Sequence, residues 1–282
     1  MAVSSPGNRR VWLITGATSG FGRALAEAVL ADGDVVVGTG RHTGALDDLV
    51  AAQPDRLQVR ALDVTDTAAA AAAVDDVVDR LGRLDVLVNN AGRTQVGALE
   101  ETTEDELRYL FELHFFGPAA MTRAALPHMR RQGGGTVVQM SSVGGQVTAP
   151  GFAAYCATKF ALEGLTQTLA QEVDFGVRFI IVEPGAFRTN LFAPGAAYQS
   201  TPMPEYAATV GPTRDYLHSD GTQPGDPAKA ARAILTAVHS SDPPLRLVLG
   251  GDAVDGILER LSAMEAEVRQ WEQLSRDTSI TD

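Results

Sequence analysis

The residue pair in this sequence best suited to moving a proton is Tyr155 and Lys159, set four apart in Tyr155-Cys156-Ala157-Thr158-Lys159. At helical spacing both side chains fall on one face and reach one site. A free phenol titrates near pH 10, so a tyrosine that gives and takes protons near neutrality needs positive charge beside it, and Lys159 can supply it. The required shift of about three units corresponds to about 4 kcal/mol, large but attainable in a partly desolvated site. Thirteen positions before the tyrosine, Ser142 follows the strand-like segment Val137–Ser141. Its hydroxyl can hydrogen-bond the oxygen that the phenol protonates, and Ser141 is the neighbouring candidate. Tyr-x-x-x-Lys pairs often arise by chance on helices and serines are common in turns, so the reading needs support elsewhere in the chain.

Three loop segments give that support. Thr15-Gly16-Ala17-Thr18-Ser19-Gly20-Phe21-Gly22 follows the apolar run Val11–Ile14 and leads into the helix-like Arg23-Ala24-Leu25. Glycines at such a turn let the backbone approach a pyrophosphate, and the helix start offers unpaired N–H groups and a favourable dipole. Asn89-Asn90-Ala91-Gly92 follows the run Val86–Val88, and Pro184-Gly185-Ala186-Phe187-Arg188-Thr189 comes after Phe179–Val182. In open parallel sheets, ligands bind outside the carboxyl ends of the strands, where all three segments would lie.

In this order, the T-G-x-x-x-G-x-G loop, N-N-A-G, the serine, Y-x-x-x-K and the P-G segment resemble the short-chain dehydrogenase/reductase family over roughly residues 10–190. The resemblance implies hydride transfer between a nicotinamide and a carbonyl or secondary alcohol, with Tyr155 as acid/base. Ser142, favoured over Ser141 by the family's spacing, would orient the oxygen. Lys159, helped by oxidised nicotinamide, would lower the tyrosine pKa and bind ribose hydroxyls. Cofactor contacts are implied at Thr15, Gly16, Thr18, Ser19, Gly20, Phe21 and Gly22, at Asp63 and Val64 near the adenine, and at Asn90, Ala91 and Gly92. Pro184, Gly185 and Thr189 would meet the nicotinamide end, with Tyr155 and Lys159.

One position departs from the family. Where it carries a catalytic asparagine that helps hold a relay water, shortly before Gly117-Pro118, this sequence has His114. Neutral imidazole both donates and accepts, so His114 is a fourth catalytic candidate able to bridge that water; the other reading is a helix histidine with no catalytic part. The end of Val35-Val36-Val37-Gly38-Thr39-Gly40-Arg41 bears on the cofactor. NAD-preferring relatives place an acidic residue where Gly40 stands, and Arg41 offers a planar fork of donors suited to a 2′-phosphate, so NADP(H) is expected over NAD(H).

The elements that must position these residues follow from hydropathy. Apolar runs Val11–Ile14, Val35–Val37, Leu57–Ala61, Val86–Val88, Thr136–Met140, Phe179–Val182 and Leu245–Leu249 alternate with helix-like Gly22–Leu30, Asp66–Leu81, Thr103–Arg131, Ala153–Val173 and Pro227–His239. This alternation predicts an α/β, Rossmann-like doubly wound fold, with a mainly seven-stranded parallel sheet covered by helices on both faces. No linker or repeat divides the chain, so a single nucleotide-binding domain over 1–282 is expected. Residues 187–225, with Phe192, Tyr198, Met203, Tyr206 and Tyr216, break the alternation and have the length of a substrate lid. A C-terminal helix over about 253–275 carries Ile257, Leu258, Leu261, Met264, Val268 and Trp271 at helical spacing, a stripe expected to pack on the domain or a neighbouring subunit.

The formal charge of −12 argues against nucleic-acid or anionic-membrane partners, which recruit clustered Lys and Arg. No apolar stretch reaches the roughly 20 residues needed to span a bilayer, and Val11–Ile14 after Arg9-Arg10 is too short for a signal peptide. The single cysteine, Cys156, cannot form an internal disulfide, which fits a reducing cytoplasm. The expected partner is a small carbonyl or alcohol, lipophilic if the aromatic lid contacts it, and no metal site is expected. The resemblance implies a homodimer or homotetramer built on Thr103–Arg131 and Ala153–Val173. A competing reading, an inactive cofactor-binding regulator or scaffold, is motivated by His114 and opposed by the intact Ser142, Tyr155 and Lys159.

Overall fold

The structure, a computed structural model, describes residues 9–189, 191, 197–217 and 221–280; Phe192 of the expected lid lies outside them. In chain order the strands are β1 (Val11–Ile14), β2 (Val35–Gly40), β3 (Leu57–Ala61), β4 (Val86–Asn89), β5 (Gln95–Val96), β6 (Gly135–Met140), β7 (Val177–Pro184), β8 (Tyr198–Gln199) and β9 (Arg246–Leu249). The helices are α1 (Gly20–Asp32), α2 (Asp47–Ala52), α3 (Thr67–Leu81), α4 (Glu104–Phe111), α5 (Gly117–Gln132), α6 (Ala153–Glu172), α7 (Gly211–Tyr216), α8 (Pro227–His239), α9 (Gly251–Gln270) and α10 (Glu272–Arg276).

Seven strands form one all-parallel sheet in the order β3-β2-β1-β4-β6-β7-β9, the Rossmann-like arrangement expected from the sequence, while β5 and β8 pair separately. Successive side chains on a strand point to opposite faces. Trp12 and Ile14 of β1 therefore pack with Leu25 and Val29 of α1 and Ile234 of α8, while Leu13 packs with Val74 of α3 and Met121 of α5. Both faces are buried, which is why the strands read as continuous apolar runs. Trp12 is tolerated at full burial because its indole N–H donates to Asp34 Oδ2 at 3.0 Å.

Four differences from the sequence pattern have local causes. β2 runs on to Gly40, paired with Ala61 of β3, through glycines that carry no hydropathy signal; a Cβ on Gly40 would stand 2.8 Å from Thr18 Cγ2. The expected helix Thr103–Arg131 is broken by a π turn at Glu112–Phe116, because Pro118 has no N–H to offer the His114 carbonyl. Gly44–Ala52, unassigned from the pattern, forms a short 3-10 turn and α2. Of the C-terminal stripe, Ile257 is buried, but Leu258, Leu261, Met264, Val268 and Trp271 stand exposed, so only the first turns of α9 pack on the rest of the described chain. Among the described residues no helix is long and apolar enough to cross a membrane.

Candidate active site

The carboxyl ends of β1, β2, β4, β6 and β7 open into one cavity of about 540 Å³. At the turn from β1 into α1, Gly16 (φ +62°) and Gly20 (φ +52°) take left-handed backbone, and a Cβ on Gly16 would press within 2.9 Å of Ala91 Cα. Ser19 caps α1 with its backbone extended and makes no side-chain cap bond. The first N–H groups of α1 are thus left to an incoming anion. Thr18, Ser19, Gly20 and Phe21 line the cavity there, but Thr15 and Gly22 do not.

Those two residues build the cavity from behind. The Thr15 hydroxyl donates to the Val88 carbonyl and accepts from the N–H groups of Asn90 (2.8 Å) and Ala91 (3.0 Å), tying β1 to the end of β4. Gly22 leaves room for the Asn90 amide, which donates to the carbonyls of Thr15 and Gly16. Arg41, Asp63 and Val64 line the same cavity, as do Asn90, Ala91 and Gly92. Arg41 is exposed and, among the described residues, has no carboxylate partner, whereas Asp63 Oδ1 is held by the Thr65 N–H and hydroxyl. Pro184, Gly185 and Thr189 line the opposite wall, with Gly185 pressed so closely on Asp252 that a Cβ would overlap its carboxylate.

The chemical end is set by α6 against β6. Ser142 Oγ accepts from the Gly144 N–H at 3.0 Å and hydrogen-bonds Tyr155, whereas Ser141 Oγ is buried without a protein partner. Of the two serines, Ser142 is the one that bonds the phenol. Lys159 donates to the Met140 carbonyl at 2.8 Å, and its Nζ lies 5.7 Å from the centroid of the Tyr155 ring. Burial pushes the phenol up to about 12, with the Ser142 bond pulling the other way. Burial also pushes Lys159 down to about 8, partly opposed by Glu163.

His114 sits in the π turn, buried, with its ring edge-on to Tyr155 at a centroid distance of 5.6 Å. The Thr158 hydroxyl donates to the Tyr155 carbonyl, so it accepts from His114 Nδ1–H at 2.9 Å, while Nε2 accepts the Arg93 N–H at 3.3 Å. Burial first, then the charges of Lys159 and Arg93, hold the imidazolium well below its usual range. The ring is neutral and both nitrogens are committed to the protein. The water bridge expected of His114 thus lacks a free donor or acceptor, and the ring links the Gly92–Arg93 loop to α6 instead.

A model of the short chain dehydrogenase family matches residues 10–199. The chain belongs to that family. Among its relatives, the oxidoreductase BOA17 of Botryotinia fuckeliana is 37% identical over 94% of this chain and 98% of its own length. The crystal structure of a short-chain dehydrogenase from Streptomyces avermitilis is 60% identical, with a TM-score of 0.92 over 98% of this chain and 100% of that one. An alcohol dehydrogenase from Thermococcus sibiricus, solved with 5-hydroxy-NADP, is 25% identical with a TM-score of 0.70 over 86% of this chain and 96% of that one.

Two features of this short-chain dehydrogenase were not read from its sequence. Arg93, directly after the N-N-A-G segment, lines the cavity, and its place in a strand-end loop was the available signal. Glu183, embedded in the apolar strand Val177–Pro184, is buried against Glu163 and Arg246. Desolvation and the Glu163 charge raise the Glu183 carboxyl well above its ordinary range.

Lys159 yields a pH prediction. Its folded pKa, about 8, is depressed from 10.5, so the unfolded chain binds this proton more tightly and stability owed to the residue rises with pH between those values. The stability of the wild type relative to Lys159→Met is expected to increase by about 3 kcal/mol across that window. Urea unfolding of both proteins below and above it tests this, and a pH-independent difference would contradict the buried charge.

Proposed function

We propose that this protein is an NADP(H)-dependent oxidoreductase, its described fold forming one cofactor-binding domain, that interconverts a lipophilic ketone or aldehyde and its alcohol. The observation that carries the reading is the meeting of Ser142, Tyr155 and Lys159 in the same cavity as a glycine turn at a helix start. The space at Gly16, Gly20 and Gly92 and the open N–H groups of α1 fit a dinucleotide. A bound NADPH would supply the hydride to the carbonyl carbon, and NADP⁺ would take it back in the reverse direction.

The rest of the chemistry belongs to the chain. Ser142 orients the carbonyl oxygen, and as the C–H bond forms, the Tyr155 O–H breaks and its proton passes to that oxygen. The tyrosinate left behind is stabilised by the Ser142 hydroxyl and the Lys159 ammonium; oxidation of an alcohol runs the same transfer backwards. A phenol near 12 is protonated at neutrality and a lysine near 8 is mostly charged, a combination suited to reduction. Leu113, Val147, Ala149, Phe152 and Cys156 make the substrate half of the cavity largely apolar, which supports a lipophilic partner.

NADP(H) preference is supported at the end of β2. Thr18 leaves no room for a side chain at Gly40, which excludes the acidic residue of NAD-preferring relatives, and Arg41 stands on the cavity wall with its donors open. Exposed Phe116, in the π turn, and Phe160, on α6, support a homodimer or homotetramer, and the free thiol of Cys156 suits a cytoplasmic site.

Tyr155→Phe is expected to keep NADPH affinity while lowering turnover of a ketone panel at least about a hundredfold. Equal turnover in the variant would remove the core of the proposal, and NADPH binding with no turnover of any ketone by the wild type would favour a regulator. NADPH is expected to bind about ten- to a hundredfold more tightly than NADH at one ionic strength, with Arg41→Ala erasing most of the difference. Equal or tighter NADH binding would refute the assignment.

A further inference from the structure

Arg93 is placed as an anion receptor would be. Its guanidinium carbon lies 4.3 Å from the centroid of the Tyr109 ring and 4.6 Å from that of Tyr198, one ring from α4 and the other from β8. Cation–π contact with both rings holds the group in place and leaves its N–H donors for a polar partner. Its Nε is buried without an acceptor, and among the described residues no oxygen accepts from its Nη groups. Glu106, the carboxylate hydrogen-bonded to Tyr198, is already taken up by the Thr103 N–H and the Ser200 hydroxyl, each at 2.9 Å. A buried, unpaired donor is costly unless a partner arrives to satisfy it.

Its location says where that partner would be. The backbone N–H of Arg93 bonds His114, whose ring stands edge-on to Tyr155, so Arg93 lines the chemical half of the cavity and not the adenine half where Arg41 stands. Leu113, Ala149 and Phe152 give the same cavity an apolar lining.

We propose that Arg93 is a specificity residue that binds an oxyanion, carboxylate or phosphoryl, on a substrate whose ketone is reduced at Tyr155 and whose apolar chain lies between the two. This rests on the oxidoreductase reading above and adds the class of substrate to it. A planar fork stacked on two rings matches the geometry of a bidentate oxyanion, and a neutral ester in its place would leave the donors unpaired.

The test uses straight-chain oxo fatty acids that vary the distance between ketone and carboxylate, each with its methyl ester, and the matching oxoalkyl phosphates. The wild type with NADPH is expected to favour at least one acid or phosphate over its neutral partner about ten- to a hundredfold in kcat/KM. Arg93→Met should erase that preference by raising KM for the anion, leaving the ester within about threefold, and Arg93→Lys should keep part of it. Equal losses for anion and ester would make Arg93 only a clamp holding β8 to α4 and overturn the proposal, as would a wild type that prefers esters throughout. Calorimetry on the NADPH-loaded protein separates the two readings. Anion binding lost in Arg93→Met without turnover keeps the receptor and sinks the reductase, whereas turnover of esters with no anion binding sinks the receptor alone.

Discussion

Among the described residues Lys159 makes a single protein hydrogen bond, to the carbonyl that ends β6, in surroundings that favour its neutral form. That bond docks α6 on the sheet and sets the ammonium beside the phenol of Tyr155. The docking demands small neighbours: a Cβ on Gly144 would stand 3.1 Å from Tyr155 Cε1, and one on Gly145 would stand 2.8 Å from Glu163 Oε1. Glu163, one turn along α6, favours the charged lysine and is itself countered by Arg246 at 3.2 Å. Arg246 also reaches Glu183 at 3.3 Å, which Gln146 holds from the loop after Ser142. Two carboxylates thus face one guanidinium, and burial, then the Glu163 charge, push the Glu183 carboxyl above its ordinary range. The charge on Lys159 is sustained by this network and not by solvent.

The π turn performs the corresponding task on the other side of Tyr155. By interrupting the helix ahead of Pro118 it brings His114 against the phenol ring, and the imidazole joins the Thr158 hydroxyl of α6 to the Arg93 N–H. Where the family pattern has an asparagine at a relay water, this protein has a ring bound entirely to protein. The same link seats the Arg93 backbone, so the Gly92–Arg93 loop and the helix that carries Tyr155 are positioned by one residue.

Much of this was legible because it is local. Glycines at a strand-to-helix turn, Tyr155 and Lys159 at helical spacing, and apolar runs alternating with helices each leave a short-range pattern, and they foretold a parallel, doubly wound sheet with these loops at its carboxyl ends, though not the order of its strands. What escaped the pattern is tertiary. Arg93 is stacked by tyrosines at positions 109 and 198, which no local spacing can pair. Ser141 and Ser142 are equivalent by composition; the family's spacing favoured Ser142, and the turn at Val143–Gly145 is where its hydroxyl is held by the Gly144 N–H. The end of β2 was hidden because Gly38 and Gly40, required by close packing on Ala17 and Thr18, carry no hydropathy.

The central claim is electrostatic: a phenol made reluctant to ionise by burial is brought within reach of neutral pH when cofactor charge joins that of Lys159. The direct measurement is an ultraviolet difference titration of phenolate absorbance in wild type and Tyr155→Phe, each with and without saturating NADP⁺. Without cofactor, the Tyr155 phenol should stay protonated toward about 12. With NADP⁺, one phenolate step should appear at least about two units lower and be missing from Tyr155→Phe. A Tyr155 phenol that NADP⁺ leaves unmoved would contradict the account.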